Sequence, residues 1–281
     1  MNEVRVFPRR NAATPMDENV YIGYPDLFVQ ADKALISVAF TWDIPEAEKL
    51  FKAWSDRMPT EMGGPAFNQP GGEFEPGKFL KKGMVITSRG CPNHCWFCSV
   101  PKREPGLKEL KIKDGWNVCD DNLLACSEEH IRKVFAMLKR QNHSARFTGG
   151  LEAARLQEWH VELLKDLNPD TIFFAYDTPD DYEPLVEAGK KLDKTGFLRP
   201  KSRHCMAYVL IGYPKDTIIQ AEDRLIKTYK AGFMPFAMLW KDKDGKSDPT
   251  WRDFQRIWAR PSIVGARIDN ILEGYESEVI A

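Results

Sequence analysis

The sequence has 281 residues, of which 43% are hydrophobic and 29% are charged, proportions typical of a globular chain that buries a core. Its 40 basic and 41 acidic side chains leave a net charge of −1, which excludes a generally basic nucleic-acid-binding protein although not a local basic patch. Six cysteines are too few for a disulfide-stapled secreted fold, and no apolar run is long enough to span a bilayer. We therefore expect a cytoplasmic protein that does not associate with membranes.

Residues 1–75 are predicted to form a small N-terminal α/β unit. Residues 34–41 are a short apolar run typical of a strand, and residues 44–56 have apolar side chains at helical spacing. A hairpin over residues 4–28 is expected before this βα unit. Residues 67–80 are rich in Gly and Pro and predict a linker or an ordered loop.

Strand-like and helix-like runs alternate through residues 76–240. Such alternation predicts parallel strands joined by crossover helices, and six strands can curve into a partial barrel. Ser127 and Thr217 are suited to cap the helices that follow them, and residues 241–281 predict a terminal helix around 251–259 and an acidic tail. The predicted fold class is therefore α/β, a (βα)6 partial TIM-type barrel with a small N-terminal α/β unit. The predicted barrel strands are residues 84–88, 116–120, 146–149, 171–176, 204–212 and 233–239.

Three of the six cysteines form a C-x3-C-x2-C motif directly after the first predicted barrel strand, at Cys91, Cys95 and Cys98. Three closely spaced thiolates can hold three irons of a [4Fe–4S] cluster and leave the fourth iron open to a substrate or cofactor. The alternative is a structural zinc site that adds His94 or a distant ligand. No second C-x2-C pair is present in the sequence, which argues against zinc.

This motif resembles that of the radical S-adenosylmethionine (radical SAM) superfamily, including an aromatic residue, Phe97, immediately before the third cysteine. The residues before the motif are similar to those of the superfamily branch related to cobalamin-dependent enzymes and methylthiotransferases. They are Thr87, Ser88, Arg89 and Gly90. The resemblance covers about residues 83–239 and implies a [4Fe–4S] cluster with S-adenosyl-L-methionine (SAM) bound at the open iron. In this family SAM is reductively cleaved to a 5′-deoxyadenosyl radical that abstracts hydrogen from the substrate. It also implies an electron donor such as flavodoxin or ferredoxin.

The N-terminal unit is similar to a trimmed cobalamin-binding domain of the same branch, but it departs from the pattern. No histidine occurs before His94, so the D-x-H-x-x-G motif that ligates cobalamin is absent. Histidine-ligated cobalamin is therefore not expected, while cobalamin bound without a protein ligand stays open.

Further cofactor contacts are carried over from the superfamily by strand position. An acidic side chain after the second strand is expected to meet the SAM ammonium group, and the alternative is a turn that Asp and Asn favour. Glycines after the third and fifth strands allow backbone close to a ligand, or serve simple turns. Asp177 is a candidate for ribose hydroxyls or substrate. The candidate cofactor-binding residues are Phe97, Asp120, Asp121, Asn122, Gly149, Gly150, Glu152, Tyr176, Asp177 and Gly212, and the candidate metal ligands are Cys91, Cys95 and Cys98.

Charge is concentrated beside the cysteines. Residues 81–113 hold eight basic and two acidic side chains, a local charge of +6 that we name the basic rim. The rim favours an anionic substrate such as a nucleotide, and a solvated loop is the alternative. Two substrate classes are open: a nucleoside or nucleic-acid base, and an amino acid, peptide or small metabolite. A different class of function, a non-catalytic iron–sulfur or zinc scaffold, is also open. The sequence does not assign a catalytic acid or base.

Overall fold

A computed structural model of the chain describes residues 2–69, 71–199 and 202–280. The chain divides into two compact units, residues 1–141 with 243–245 and residues 142–242 with 246–281. Each unit combines helices with parallel strands, which confirms the predicted α/β class. The closure of six strands into a partial barrel and the domain limits at 75 and 240 stay predictions.

Helices and strands alternate along most of the chain. The strands are β1 (Glu3–Phe7), β2 (Val20–Ile22), β3 (Lys33–Ser37), β4 (Thr60–Gly63), β5 (Met84–Val85), β6 (Ser88–Arg89), β7 (Lys108–Glu109), β8 (Asn117–Val118), β9 (Arg146–Phe147), β10 (Thr171–Ala175), β11 (Cys205–Ile211) and β12 (Met234–Leu239). The α-helices are α1 (Ile44–Ser55), α2 (Val100–Arg103), α3 (Glu128–Lys139), α4 (Glu158–Leu167), α5 (Tyr182–Lys194), α6 (Ile218–Lys230), α7 (Pro249–Trp258) and α8 (Pro261–Ile280). Short 3-10 helices span Thr41–Asp43, Pro65–Phe67, Leu123–Ala125, Ala153–Arg155 and Pro179–Asp181.

The first unit contains a parallel sheet with the strand order β2-β1-β3-β4. β1 and β2 pair in parallel, so the expected hairpin over residues 4–28 is wrong, because the strands of a hairpin must be antiparallel. Residues 8–19 between them are long enough for a crossover connection instead. The chain moves to one side of β1 to form β2 and to the other side to form β3. This reversal is a topological switch point, where ligands bind outside the carboxyl ends of parallel strands.

Helix α1 packs on this sheet and forms the core of the N-terminal region. Alternate residues of β1 and β3 are buried, as the period-two pattern of a strand requires. Each large apolar side chain buried here stabilises the fold by roughly 1.5–3 kcal/mol. The indole Nε1 of Trp54 donates to the carbonyl of Gly23 over 3.0 Å, which satisfies its polar edge. The core residues include Val4, Val6, Ala34, Ile36, Val38, Ala47, Leu50 and Trp54.

The remainder of the first unit carries the three cysteines of the C-x3-C-x2-C motif. β5 and β8 pair in parallel, and β6 and β7 pair antiparallel. The predicted cap of α3 is confirmed, because the Ser127 hydroxyl accepts from the backbone N–H of His130 over 3.2 Å. Cys91, Cys95 and Cys98 lie in the segment between β6 and α2, which we name the cysteine loop (residues 91–98).

The second unit contains parallel strands in the order β9-β10-β11-β12, with α4, α5 and α6 between them along the chain. The predicted cap of α6 is confirmed, because the Thr217 hydroxyl accepts from the backbone N–H of Gln220 over 3.2 Å. Phe174 and Phe233 meet edge to face in the core, with ring centres 5.2 Å apart. The segment expected as an acidic tail is helical, as α8, and apolar Val264 and Ile268 are buried on it. None of the helices in the described residues is long and apolar enough to span a bilayer.

Candidate functional site

The cysteine loop presents its three thiols at different depths. Cys95 is exposed, whereas Cys91 and Cys98 are half-buried, and all three are free of disulfide bonds. The backbone N–H of Cys98 donates to the carbonyl of Cys95 over 3.1 Å, which makes a tight turn of the second half of the motif. The loop therefore offers three reduced sulfurs within eight residues, one of them open to solvent.

Backbone donors are directed at two of the three sulfurs. The N–H of Asn93 donates to Cys91 Sγ over 3.5 Å, and the N–H of Val100 donates to Cys98 Sγ over 3.4 Å. Burial raises the pKa of the Cys98 thiol, and the Val100 N–H opposes that rise. Such donors stabilise sulfur in its thiolate form, which is the form that binds metal.

The donor set fits an iron–sulfur cluster in its chemistry. Within the described part of the chain, no group of three or more His, Cys, Asp or Glu side chains is arranged to hold a metal ion. The fit therefore rests on three thiols in one short loop and on the N–H groups that face Cys91 and Cys98. Cys91, Cys95 and Cys98 are the residues that would hold the group, and their number leaves one iron without a protein ligand.

The segment after β8 holds the chain that leads into the cysteine loop. The buried carboxylate of Asp120 accepts from the backbone N–H of Thr87 at 2.6 Å, from the Thr87 hydroxyl at 2.5 Å and from the Ser88 hydroxyl at 2.9 Å. Burial raises the pKa of Asp120, and these donors oppose the rise. The ring Nε2 of buried His130 lies 3.3 Å from the Thr87 hydroxyl and extends the network. Asp120 thus fixes the two residues that precede Arg89.

Asp121 and Asn122, the two residues after Asp120, contact the start of the cysteine loop and the residue before it. Asp121 accepts from the backbone N–H of Gly90 at 2.8 Å and pairs with the Arg103 guanidinium at 2.9 Å. The amide Nδ2 of Asn122 donates to Cys91 Sγ over 3.3 Å. We name Asp120, Asp121 and Asn122 the strand-end clamp, because three consecutive residues contact positions 87–88, 90 and 91 in order. These contacts are within the protein, and the prediction that an acid here meets SAM stays a prediction.

A cavity of about 700 Å³ lies at the carboxyl edge of the N-terminal sheet. Phe7, Ser37 and Gly63, the last residues of β1, β3 and β4, line it on one side. Arg89 and Asp121 also line it. Arg89 lies just before the cysteine loop in the sequence, and Asp121 contacts Gly90, the residue before that loop. The cavity is therefore where the switch-point rule places a ligand, and it extends to the strand-end clamp.

Sequence reasoning missed how one wall of this cavity is built. The Arg89 guanidinium lies against the backbone of Gly71, because a Cβ at Gly71 would fall 1.0 Å from Arg89 Nη1. The N–H of Gly71 donates to the buried carboxylate of Glu104 over 2.8 Å. Burial lowers the pKa of Arg89, and the Glu104 charge opposes that change. The sequence signal for this close contact was the Gly71-Gly72 pair. We interpreted it only as part of the Gly- and Pro-rich loop at residues 67–80.

Phe97 and the exposed Trp96 form an aromatic pair within the cysteine loop. Their rings meet edge to face with centres 5.4 Å apart, and Trp96 is 60% exposed. Cys119, two residues before Asp121, lines the cavity together with it.

The candidate residues of the second unit have their own partners there. Asp177 Oδ1 accepts from the backbone N–H of Leu210 over 2.9 Å and so joins the end of β10 to β11. Burial, together with the charge of Asp181, raises the pKa of Asp177 to about 7. Tyr176 is buried and stacks on Tyr182 with ring centres 5.5 Å apart. Both residues therefore have structural contacts, and their predicted roles toward SAM stay predictions.

The glycines and Glu152 differ in what surrounds them. Gly150 has φ +96° and open space where a side chain would lie, so a ligand can approach its backbone. Gly149 precedes it at the end of the β9 segment. Gly212 has φ +73°, and a Cβ there would meet Leu239 at 2.8 Å, which makes this a close-packed turn. Glu152 pairs with Arg155 at 2.6 Å.

The basic rim is less uniformly cationic than its sequence indicates. Arg103 is paired with Asp121, and Lys113 is paired with Glu73 at 3.2 Å. Lys102 and Lys108 are exposed on the same segment. Exposed lysines are therefore the better candidates for contacts with an anion.

No protein-family model matches this chain, and no curated protein has a significantly similar sequence.

Proposed function

We propose that this protein is a radical SAM enzyme that binds a [4Fe–4S] cluster through Cys91, Cys95 and Cys98 on a (βα)6 partial barrel. The observation that carries the proposal is the C-x3-C-x2-C motif, with Phe97 before the third cysteine. The strand-end clamp supports it, because Asp120, Asp121 and Asn122 hold the residues that lead into that motif.

When bound, the cluster would supply the electron for reductive cleavage of SAM, and the resulting radical would abstract hydrogen from the substrate. The residues of this chain position and shield the reacting groups. The clamp fixes the approach to the loop, the backbone N–H groups of Asn93 and Val100 stabilise the thiolates, and Asp121 lies at the cavity wall. A small electron-transfer protein of the flavodoxin or ferredoxin type is the proposed partner.

The cavity of the first unit is the proposed substrate site. Its volume of about 700 Å³ suits a molecule of nucleoside size or somewhat larger. Apolar side chains such as Phe7, Leu35 and Met62 line it together with the Arg89 and Arg103 guanidiniums. This mixture suits a substrate with an apolar or aromatic body and a few polar groups, which a nucleoside or nucleic-acid base provides. An amino acid, a peptide or another small metabolite is the second substrate class.

Iron content and SAM cleavage test the proposal. Anaerobically reconstituted protein should hold about four irons and convert SAM to 5′-deoxyadenosine when reduced by dithionite. Cys91→Ser should abolish SAM cleavage and most of the iron binding. Cys126→Ser is the matched control, because burial raises the pKa of that thiol to about 11 and it lies outside the motif. Stoichiometric zinc without iron, or cleavage that survives Cys91→Ser, would overturn the proposal.

A cavity-filling variant tests the substrate site. Ala39 lines the cavity and is itself exposed, so Ala39→Trp fills space without disturbing the buried core. Protein purified from its native host should retain small molecules that mass spectrometry detects, and Ala39→Trp should lose them while its SAM cleavage stays within twofold. The same molecules retained by both proteins would place the substrate elsewhere.

A further inference from the structure

Asn122 is the member of the strand-end clamp that contacts a cysteine of the motif. It is 4% exposed and lies between β8 and the 3-10 helix Leu123–Ala125. Its carbonyl accepts from the N–H of Ala125 over 3.3 Å, which fixes the backbone from which its side chain extends. The side chain is therefore held in place by packing and by a local turn.

Two N–H groups of different kinds point at the sulfur of Cys91. One is the backbone N–H of Asn93 at 3.5 Å, and the other is the amide Nδ2 of Asn122 at 3.3 Å. A backbone donor persists when side chains are changed, whereas the amide of Asn122 can be removed by a substitution. This makes the Asn122 bond experimentally separable from the rest of the loop.

A hydrogen bond to a ligand sulfur acts on a bound cluster through charge. Reduction adds an electron that is partly shared with the ligand sulfurs, and an N–H donor stabilises that negative charge. The donor therefore stabilises the reduced cluster more than the oxidised cluster and raises the reduction potential. The low dielectric around a buried amide strengthens the effect.

We propose that Asn122 is a positioning residue that raises the reduction potential of the cluster through its hydrogen bond to Cys91. The inference rests on the proposed function, because it requires a cluster at Cys91. The proposed role of Asn122 differs from those of Asp120 and Asp121, which accept hydrogen bonds from backbone and hydroxyl groups. The proposal concerns the electron that the partner protein delivers and is independent of the substrate.

Potentiometric titration followed by electron paramagnetic resonance tests the role of Asn122. Asn122→Leu keeps the side-chain size and removes the donor, and Asn122→Asp keeps the shape while placing negative charge beside the sulfur. At a fixed applied potential, each variant should show a ratio of reduced to oxidised cluster about tenfold below wild type, which is 59 mV for a one-electron couple. Asn117→Leu removes another buried asparagine, on β8, and should stay within twofold of wild type.

The outcomes separate this inference from the proposed function. Asn122→Leu and Asn122→Asp with full iron and the wild-type potential would overturn the inference and leave the radical SAM proposal standing. An equal fall in Asn117→Leu would also overturn it, because the effect would then come from general loosening. If Asn122→Leu does not fold, the isosteric Asn122→Asp decides the question. Wild-type protein that assembles no cluster would overturn the proposed function, and this inference with it.

Discussion

The two units use aspartates close behind a parallel strand in different ways. In the first unit, Asp121 pairs with a cation, Arg103, and accepts from a backbone N–H beside the cysteine loop. In the second unit, Asp177 accepts from the N–H of Leu210, and the charge with the largest effect on its pKa is the like charge of Asp181. The Asp121 carboxylate is therefore paired with a cation, whereas burial keeps the Asp177 carboxyl protonated to near-neutral pH.

This difference shows that a position behind a strand does not by itself specify a ligand contact. Both sites satisfied the sequence criterion of an acid at the carboxyl end of a parallel strand. What separates them is the surroundings, since Asp121 lines a cavity next to the candidate metal ligands. Asp177 instead ties two strands together, so its main effect is expected on stability rather than on the loop.

The largest expected effect is on stability in the first unit. Asp120→Ala would leave two hydroxyls and one N–H without their acceptor, at roughly 1–3 kcal/mol for each buried group. We expect the free energy of unfolding to fall by about 5 kcal/mol, measured by urea denaturation. Asp114→Ala, which removes an exposed carboxylate of the same unit, should change it by less than about 0.5 kcal/mol. Equal effects from the two variants would mean that Asp120 does not hold the segment.

The next effect belongs to the second unit and depends on pH. The pKa of Asp177 is raised from 3.8 to about 7, so its folded form binds a proton more tightly than its unfolded form. Its stabilising contribution is therefore complete below about pH 4 and is lost as the pH rises through about 7. Asp177→Asn keeps the acceptor for Leu210 and removes the titration. At pH 8 we expect it to unfold with a free energy up to about 4 kcal/mol above wild type.

The comparison across pH provides the control for this prediction. Below about pH 4 the wild-type Asp177 is protonated, so wild type and Asp177→Asn should have nearly equal stability there. Asp120 also has a raised pKa, but it is present in both proteins. Its contribution therefore cancels in the difference between their free energies of unfolding. A difference that does not change between pH 4 and pH 8 would show that Asp177 titrates normally in the fold.

A smaller effect is expected for the ion pair in the first unit. Asp121 and Arg103 are both half-buried, and Arg103 Nη2 lies 2.9 Å from Asp121 Oδ1. A double-mutant cycle with Asp121→Asn and Arg103→Met should give a coupling energy of about 1–2 kcal/mol in thermal unfolding. Coupling below about 0.3 kcal/mol would show that the two side chains act independently.

The smallest effect is expected for the exposed part of the basic rim. Lys102 and Lys108 are exposed, so contacts that they make with an anion are screened by salt. Their joint replacement by Ala should weaken binding of a fluorescein-labelled single-stranded oligonucleotide about threefold at low salt and hardly at all at high salt. Identical anisotropy titrations for both proteins would make the rim a solvated loop and remove support for a nucleic-acid substrate.

Much of the fold could be predicted because it depends on local pattern. The strands around residues 171–175 and 205–211 and the caps at Ser127 and Thr217 follow from apolar runs and capping chemistry. The hairpin over residues 4–28 failed because two short apolar runs do not reveal whether they pair in parallel. Helix α8 was missed because the acidic residues of the segment obscured its buried positions at Val264 and Ile268.

The sequence identified candidate metal ligands, but it did not indicate the contacts that hold their loop in the fold. The cysteine spacing is a contiguous signal, whereas the clamp joins residues about thirty positions apart, such as Asp120 with Thr87 and Asn122 with Cys91. A single sequence carries no signal of such pairs. For the same reason the sequence counted Arg103 toward the charge of the basic rim without showing that it pairs with Asp121 in the fold.

The central claim is that the three thiolates of the cysteine loop leave one iron open to SAM. Electron paramagnetic resonance of the anaerobically reduced protein, recorded with and without saturating SAM, tests it most directly. We predict the signal of a reduced [4Fe–4S] cluster whose g values shift when SAM is added, because SAM coordinates the open iron. A reduced protein without a cluster signal, or a signal that SAM leaves unchanged, would contradict the account.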